Sequence, residues 1–372
     1  MRRAAAAFAR PQPWRSVGQL FTAFGPFLVG CAVMYLLMPR CSWLALALAV
    51  PTGALLLRVF VIQHDCGHGS FFSSRRANRI VGWLCSLCTF TPYRNWARQH
   101  AQHHARWNDL DRRQGGADIY SACLTVREYR ALPRRRRLIY RLARHPAIAH
   151  LLLPPFIFLL LYRVPFDTPR AWAAERRSVH FTNAALVSLF AGLVLLLGWQ
   201  PVLLVHLPVM IVASILGVWL FALQHRFETA RWATGDDWRF VEASLAGSSW
   251  LRLPRSLHWL TGNIGYHHIH HLDPRVPNYR LRSAHDAVGA LNAVPPLSVR
   301  GGLAAIVLTL WDEERGRLVR FRDAGDSGTG QSTGGCGAIR DAVVAKAAGL
   351  SAAGPSTSRR DLHVSVPPLR LA

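Results

Sequence analysis

Four long apolar stretches dominate the pattern of hydrophobic and polar positions along the chain. They are Phe21–Leu37, Ser42–Ile62, Phe181–Trp199 and Pro201–Leu223. A helix needs about 17–25 predominantly apolar residues to cross the hydrocarbon core of a bilayer, and each stretch meets or approaches that length. Only Met38–Cys41 separates the first two, and an uncharged Gly-Trp-Gln-Pro turn joins the last two. The pattern therefore predicts two transmembrane hairpins.

Two shorter apolar runs, Ile80–Tyr93 and Ala147–Tyr162, have arginines on both sides. Because cytoplasmic loops collect arginine and lysine, both ends of each run should lie on the same side of the membrane. We interpret the two runs as re-entrant or interfacial segments. The alternative for Ala147–Tyr162 is a fifth span, but Pro154-Pro155 in its middle argues against a straight helix.

The N-terminal segment, residues 1–20, is basic and lacks the cleavage site of a signal peptide. We expect it to stay in the cytoplasm, which places Gln63–His180 and Gln224–Ala372 on the same side. The predicted architecture is an all-α integral membrane protein with four transmembrane helices in two hairpins and a cytoplasmic histidine-rich cap. Its main domain covers residues 21–300. Residues 301–322 are predicted to be amphipathic or interfacial, and the Gly- and Ser-rich residues 323–372 a disordered tail.

Composition and charge narrow the function classes. With 51% hydrophobic and 17% charged residues, the chain is too apolar to be disordered throughout. Seven cysteines without repeated spacing exclude a disulfide scaffold. The net charge of +24 and the Arg134–Arg137 run raise the possibility of nucleic-acid binding. Beside apolar membrane segments, however, such a run more simply attracts anionic lipid or an acidic electron donor, so we expect no nucleic-acid partner.

Histidines carry the strongest chemical signal, since 16 of the 17 lie outside the four apolar stretches. Three tight clusters read HDCGH from His64, HAQHH from His100 and HHIHH from His267. Positions i, i+3 and i+4 share one helix face, so the members of each cluster are expected to point to one centre. His225, directly after the fourth stretch, adds a ninth candidate ligand. The candidate metal ligands are His64, His68, His100, His103, His104, His225, His267, His270 and His271.

Nine imidazoles exceed the four ligands of a tetrahedral zinc ion, so the clusters predict two metal ions. Imidazole suits iron, copper, nickel and zinc, and the ligand type leaves the metal open. Nearby carboxylates are expected to accept the second N–H of ligating histidines, and Asp65 or Glu228 is an alternative direct ligand. These acidic residues are Asp65, Asp109, Asp111, Glu228, Asp236, Asp237 and Asp273.

Three further polar residues have competing interpretations. His268 turns away from the face shared by the rest of its cluster, so it is left out of the ligand set. Asn263, four positions before His267, could hold a metal-bound water or serve in a turn. His206 lies within the fourth apolar stretch, where a hydrogen-bonded core residue is a simpler interpretation than a proton relay.

The three clusters around two hairpins resemble the membrane fatty acid desaturase family over about residues 20–300. The stretches HDCGHGSFF and NIGYHHIHHL are similar to its bacterial acyl-lipid members of the omega-6 or delta-12 type. The resemblance implies that the nine histidines hold a non-haem di-iron centre, with O2 as co-substrate and a bacterial inner-membrane location. Phe221 stands where some family members have an Asn before the extra histidine, so water-mediated Asn ligation is not expected there.

No His-Pro-Gly-Gly motif of a fused cytochrome b5 domain is found, so the resemblance implies an external donor, a ferredoxin or cytochrome b5-type protein with its reductase. Oxidation of an unactivated methylene must be kept dry, which predicts a substrate tunnel between the spans and the cap. Aromatic residues near the interface could line this tunnel or be ordinary membrane anchors. They are Trp83, Tyr93, Trp96, Trp219 and Trp259.

Two other functions are compatible with the same clusters. A hydroxylase, or a carotenoid ketolase or hydroxylase, would use the same ligands and insert oxygen instead of removing hydrogen. A non-enzymatic metal-binding sensor or transporter would need polar residues facing a pore within the spans, and His206 is the main polar residue there. We therefore expect an oxidoreductase acting on a fatty acyl chain, esterified in a membrane lipid.

Overall fold

The computed structural model describes residues 1–113 and 122–324 of the 372-residue chain. Its helices are α1 (Arg2–Ala6), α2 (Pro13–Leu37), α3 (Ser42–Ala47), α4 (Ala49–Gly67), α5 (Arg75–Thr89), α6 (Tyr93–Arg106), α7 (Val126–Ala131), α8 (Arg134–Ala143), α9 (Leu153–Leu159), α10 (Ala173–Leu197), α11 (Trp199–His225), α12 (Phe240–Ala246), α13 (Arg255–Leu260), α14 (His267–Leu272), α15 (Asn278–Ala287), α16 (Gly289–Asn292) and α17 (Val299–Ala305). The strands are β1 (Leu124–Thr125), β2 (Trp250–Arg252), β3 (Pro296–Ser298), β4 (Leu310–Asp312) and β5 (Arg317–Val319). A π-helical turn covers Ile148–Leu152, and 3₁₀ turns cover Leu161–Arg163 and Gly235–Asp237.

Four helical segments in the described residues are long and apolar enough to cross a membrane, which confirms the predicted all-α membrane architecture. They are Pro13–Leu37, Ser42–Gly67, Ala173–Leu197 and Trp199–His225, with mean hydropathies of 1.9 to 2.3. Each of these helices extends beyond the predicted apolar stretch into polar residues, because the helical backbone hydrogen bonds continue where the apolar side chains end. As a result, His64 and His225 occupy the last turns of the second and fourth spans.

The second span, α3 and α4, packs between the first span and the fourth. Phe27 of α2, Leu56 and Ile62 of α4, and Val205 and Val209 of α11 belong to one buried cluster. Gly53 permits the close approach of α4 to α11, since a Cβ atom there would lie 2.9 Å from the backbone oxygen of Val209. Small residues at such crossings allow helix backbones to pack tightly in membranes.

The two shorter apolar runs are both interrupted. Ile80–Tyr93 is divided between α5 and α6 by the left-handed backbone of Phe90, whose φ is 57°. Ala147–Tyr162 forms the π-helical turn, α9 and the start of a 3₁₀ turn, and α8 meets this segment at a bend of 52°. This is the geometry of a broken span or a re-entrant loop. The described residues therefore contain no straight fifth span, and the re-entrant interpretation stays a prediction.

The cap is built from the segments that follow each hairpin. β4 pairs in parallel with β1 and antiparallel with β5, and β2 pairs in parallel with β3. The hairpin of β4 and β5 buries Leu310, Trp311, Leu318 and Val319 in the cap. The amphipathic or interfacial character of residues 301–322 stays a prediction. Of the predicted tail, residues 325–372 lie outside the described residues.

Candidate metal centre

The nine predicted ligand histidines come from four parts of the fold and are all buried, with at most 8% of any residue exposed. His64 and His68 lie at the end of α4, and His225 is the last residue of α11. α6 and α14 supply the other six, which are His100, His103, His104, His267, His270 and His271.

Eight of the nine histidines form two groups whose ring nitrogens lie close enough to bind metal. In each group, one ring nitrogen per histidine lies within 4.8 Å of the corresponding nitrogens of the others. The five-histidine group consists of His64, His68, His100, His104 and His270. The three-histidine group consists of His103, His225 and His271. Each group is compatible with a metal site, and the expectation of two metal ions stays a prediction.

The expectation that each sequence cluster points to one centre holds for His64 and His68 but is wrong for the other two clusters. α6 contributes His100 and His104 to the five-histidine group and His103 to the other, and α14 divides His270 and His271 in the same way. Neighbouring residues on a helix point about 100° apart, so His103 and His104 face different centres. The same two helices therefore serve both groups, and the rings of His104 and His271 lie 4.2 Å apart at the boundary.

His267 lies beside the three-histidine group without meeting the distance criterion for it. Its ring centroid is 4.6 Å from that of His225 and 4.7 Å from that of His271. Both of its ring nitrogens are buried without a hydrogen-bond partner. His268 lies outside both groups, as its position on the helix predicts, with Nε2 at 3.3 Å from the carbonyl oxygen of Leu291.

The environment of the ring nitrogens fits a metal. His103 Nε2 lies 2.7 Å from His225 Nε2, and His104 Nε2 lies 3.1 Å from His100 Nε2 and 3.0 Å from His270 Nε2. In addition, Nε2 of His68 and Nε2 of His271 are buried without a partner. Leaving a buried polar atom unsatisfied costs about 1–3 kcal/mol. Several such nitrogens converging on two points would be satisfied together by metal ions.

Burial also sets the protonation state of these histidines. Desolvation lowers the pKa of His100, His104, His270 and His271 well below the ordinary value, and neighbouring imidazoles lower each pKa further. The rings are therefore neutral at physiological pH. Neutral imidazole is the form that binds metal.

Among the acidic residues expected to orient the histidines, Asp65 does so in the described structure. Its Oδ1 lies 3.2 Å from Nδ1 of His64. Others have different partners, and Glu228, with a side chain 57% exposed, belongs to neither histidine group. Asp109 pairs with Arg112, Asp111 accepts from the backbone of Gly235, Glu228 pairs with Arg317, Asp273 pairs with Arg275, and Asp236 and Asp237 are exposed on a 3₁₀ turn.

An apolar cavity of about 160 Å³ extends from the histidines into the region between α4, α9 and α11. At the cap it is lined by His64, His100 and His267, and farther away by residues such as Met210 and Gly217. Of the five aromatic residues proposed for a tunnel, only Trp96 lines this cavity within the described residues. Trp83, Tyr93, Trp219 and Trp259 lie elsewhere, and the aromatic lining that the sequence did not reveal comprises Phe60, Phe158, Tyr162, Phe166 and Phe221.

The structure shows the surroundings of three single residues that the sequence analysis discussed, Phe221, Asn263 and His206. Phe221 packs its ring 4.5 Å from that of His225, which is an apolar contact. Asn263 adopts a left-handed φ of 59° and its carbonyl oxygen accepts from Tyr266 N–H, so it serves in a turn. His206 lies between the rings of Tyr35 and Phe190. Its Nε2 has no hydrogen-bond partner, so the predicted hydrogen-bonded role is wrong at that atom.

Four apolar helices, with two buried histidine groups formed where the ends of α4 and α11 meet α6 and α14, are the features of a membrane protein that binds metal. Comparison with known proteins then identifies the family, because residues 42–297 match the family model for fatty acid desaturases. The chain is 43% identical to a fatty acid desaturase of Bacillus subtilis over 85% of its own length and 89% of that protein.

Two relatives from Synechocystis extend this similarity. The chain is 29% identical to an sn-1 oleoyl-lipid 12-desaturase over 69% of its length and 72% of the relative. It is 28% identical to an sn-1 acyl-lipid omega-3 desaturase (ferredoxin) over 63% of its length and 65% of the relative. The chain therefore belongs to the fatty acid desaturase family. It is a membrane-bound oxidoreductase that acts on acyl chains.

Proposed function

We propose that this chain is a di-iron, O2-dependent desaturase that introduces a double bond into a fatty acyl chain linked to a membrane lipid. The observation that carries the proposal is the apolar cavity, which ends at His64, His100 and His267 beside the two histidine groups. An apolar cavity suits an acyl chain and excludes water. The cavity would bring the acyl chain to the point where the buried imidazoles converge.

The five-histidine group would hold one iron ion, and the three-histidine group together with His267 would hold the other. When bound, the two irons would supply the oxidation of the acyl chain by O2. The overall reaction balances as –CH2–CH2– plus O2, two electrons and two protons giving –CH=CH– plus two water molecules. The histidines of this chain would bind the two ions, with α6 and α14 each contributing to both groups.

Aromatic side chains keep the site dry and fix its rings. Trp96 stacks on His100 with ring centroids 4.6 Å apart and an interplanar angle of 15°. Phe221 packs against both His103 and His225, at 5.4 Å and 4.5 Å. Water exclusion protects a strongly oxidising site from side reactions. These contacts support a dry reaction chamber at the inner end of the cavity.

The proposal also covers the electron donor and the side of the membrane that the histidine groups face. An external ferredoxin or cytochrome b5-type protein with its reductase would supply the two electrons, and the printed name of one Synechocystis relative includes ferredoxin. The net charge of +24 favours an acidic donor, because opposite charge speeds encounter. The histidine groups would face the cytoplasm from a bacterial inner membrane, in agreement with the arginine-rich segments beside them. Electron transfer that is insensitive to ionic strength would contradict electrostatic docking.

Lipid analysis of a desaturase-free bacterial host that expresses the chain tests the function. Mass spectrometry should detect an acyl chain that has lost two hydrogens, and cleavage of the new double bond would show its position, which we propose to be of the omega-6 or delta-12 type. A gain of one oxygen would instead identify a hydroxylase. Separate His103→Ala, His104→Ala and His270→Ala variants should form no product. Unsaturated product from all three would overturn the proposal.

A further inference from the structure

The helix α8, with the sequence RRRRLIYRLA, has no buried residue although half of its second turn is apolar. Leu138, Ile139 and Leu142 are 58%, 55% and 51% exposed. Within the described residues, the guanidinium groups of Arg134–Arg137 form no hydrogen bond or ion pair. A surface with exposed apolar side chains beside unpaired cations is costly in water and needs a partner that accepts both.

Tyr140 determines which side of α8 faces the protein. Its hydroxyl accepts from Leu124 N–H at 3.1 Å and donates to the carbonyl oxygen of Thr309 at 3.1 Å. Residues two positions apart on a helix point about 200° from one another. Leu138 and Leu142, each two positions from Tyr140, therefore face away from the protein. Arg134 and Arg135 flank this outward apolar face, whereas Arg136, four positions before Tyr140, lies on the side of Tyr140.

The position of α8 relative to the membrane can be inferred from the segment that follows it. Ile157 and Phe158 pack against Val218 and Phe221, within the last two turns of the fourth span before His225. The same segment exposes further apolar side chains outward, at Leu151, Leu152, Phe156 and Leu160. The chain therefore passes from α8 directly into a surface suited to lipid, and α8 lies at the boundary between the spans and the cap.

We propose that α8 lies in the membrane interface and binds anionic phospholipid headgroups through Arg134 and Arg135. Leu138, Ile139 and Leu142 enter the acyl region while the arginine side chains extend towards the phosphates. This is the arrangement of interfacial amphipathic helices, whose binding combines apolar burial with attraction to anionic lipid. An acidic protein would pair the arginines but would leave the apolar face in water, so the lipid surface satisfies both features.

Hydrogen–deuterium exchange of the full chain in nanodiscs tests this inference. The amides of residues 134–143 should be protected more strongly in phosphatidylcholine mixed with phosphatidylglycerol than in phosphatidylcholine alone. A variant with Arg134→Gln and Arg135→Gln should lose this difference, because each arginine near the surface strengthens binding to anionic lipid by about fivefold. A matched variant with Arg252→Gln and Arg255→Gln removes the same charge from other exposed positions and should retain the difference.

The apolar half of the interface is tested separately. Leu138→Gln combined with Leu142→Gln should reduce protection in both lipid compositions. Equal protection with and without phosphatidylglycerol would overturn the inference. Protection that arises only after an acidic iron–sulfur protein is added would also overturn it and identify a protein partner. These measurements do not depend on desaturation, so their outcome is distinct from that of the proposed function.

Discussion

The carboxylate of Asp65 contacts both His64 and Asn278, and Asn278 lies 213 positions after Asp65 in the chain. Asp65 Oδ1 is 3.2 Å from His64 Nδ1, while Oδ2 accepts from the backbone N–H of Asn278 at 2.7 Å and from its side-chain amide at 2.8 Å. Asn278 Oδ1 in turn accepts from Gln19 Nε2 at 2.9 Å. A buried polar chain thus connects the first span and the cap to the five-histidine group.

Asn278→Ala should weaken metal retention without changing a ligand. The side-chain amide holds Asp65 in place, and loss of such an outer partner lowers metal affinity or activity by about 10–100-fold. Metal content measured after dialysis against a graded chelator series should show the decrease. Asn292→Ala, at an exposed position at the end of α16, is the control and should retain wild-type metal. Equal retention by both variants would show that Asn278 does not position His64.

His267→Ala should remove metal from the three-histidine group. His267 has two buried nitrogens without partners beside His225 and His271, so we expect it to complete that group. Metal analysis should show that the content falls by about half, as one of two ions is lost. His268→Ala removes a neighbouring buried histidine that lies outside both groups and should leave the metal content unchanged. Full metal content in His267→Ala would exclude His267 as a ligand.

Gly217→Leu should obstruct the cavity. Gly217 lines it, and a Cβ atom there would already lie 3.7 Å from Leu57 Cδ1, so a larger side chain must occupy the cavity itself. We expect desaturation of long acyl chains to fall while metal content stays the same, with shorter chains less affected. The readout is the chain-length profile of unsaturated products.

The control for this variant is the same substitution at another span position. Gly192 of α10 has no atom within 4 Å of a Cβ position, so Gly192→Leu should keep the wild-type product profile. An unchanged profile in Gly217→Leu would show that acyl chains do not occupy this cavity.

Metal removal should destabilise the folded cap. A metal that binds the folded chain stabilises it by about 2.7 kcal/mol at a free concentration 100 times its Kd. Chelator-treated protein should therefore unfold at a lower Tm, and added Fe²⁺ should restore it. A variant carrying His103→Ala, His104→Ala and His270→Ala is expected to show the same Tm with and without Fe²⁺. A Tm that does not respond to chelation in the unaltered chain would argue against a structural contribution of bound metal.

Sequence alone was sufficient for the spans and for nine histidines that the structure buries close to one another. Long apolar stretches are a local property, and the bilayer sets their length, so the helices around Phe21–Leu37 and Pro201–Leu223 were found at nearly correct positions. Histidines at i, i+3 and i+4 are likewise a local pattern. It identified His100, His103 and His104 as neighbours before any fold was known.

Tertiary structure decided how those histidines are divided. Local spacing suggested that each cluster serves one centre, yet His103 joins His225 while His100 and His104 join His64. The division depends on how α6 is rotated relative to α4, α11 and α14. That rotation results from packing between helices distant in sequence, and local spacing contains no information on it.

The same distinction explains the cavity, the cap and the partner of Asp65. Phe60, Phe158 and Phe221 are ordinary apolar residues in sequence, and only the meeting of α4, α9 and α11 makes them a lining. Asp65 was correctly expected to orient a histidine, but Asn278 carries no local signal for that contact. The sequence determined which side chains are apolar or able to bind metal. Long-range packing determined which of them meet, because a contact between distant segments forms only when the whole chain has folded.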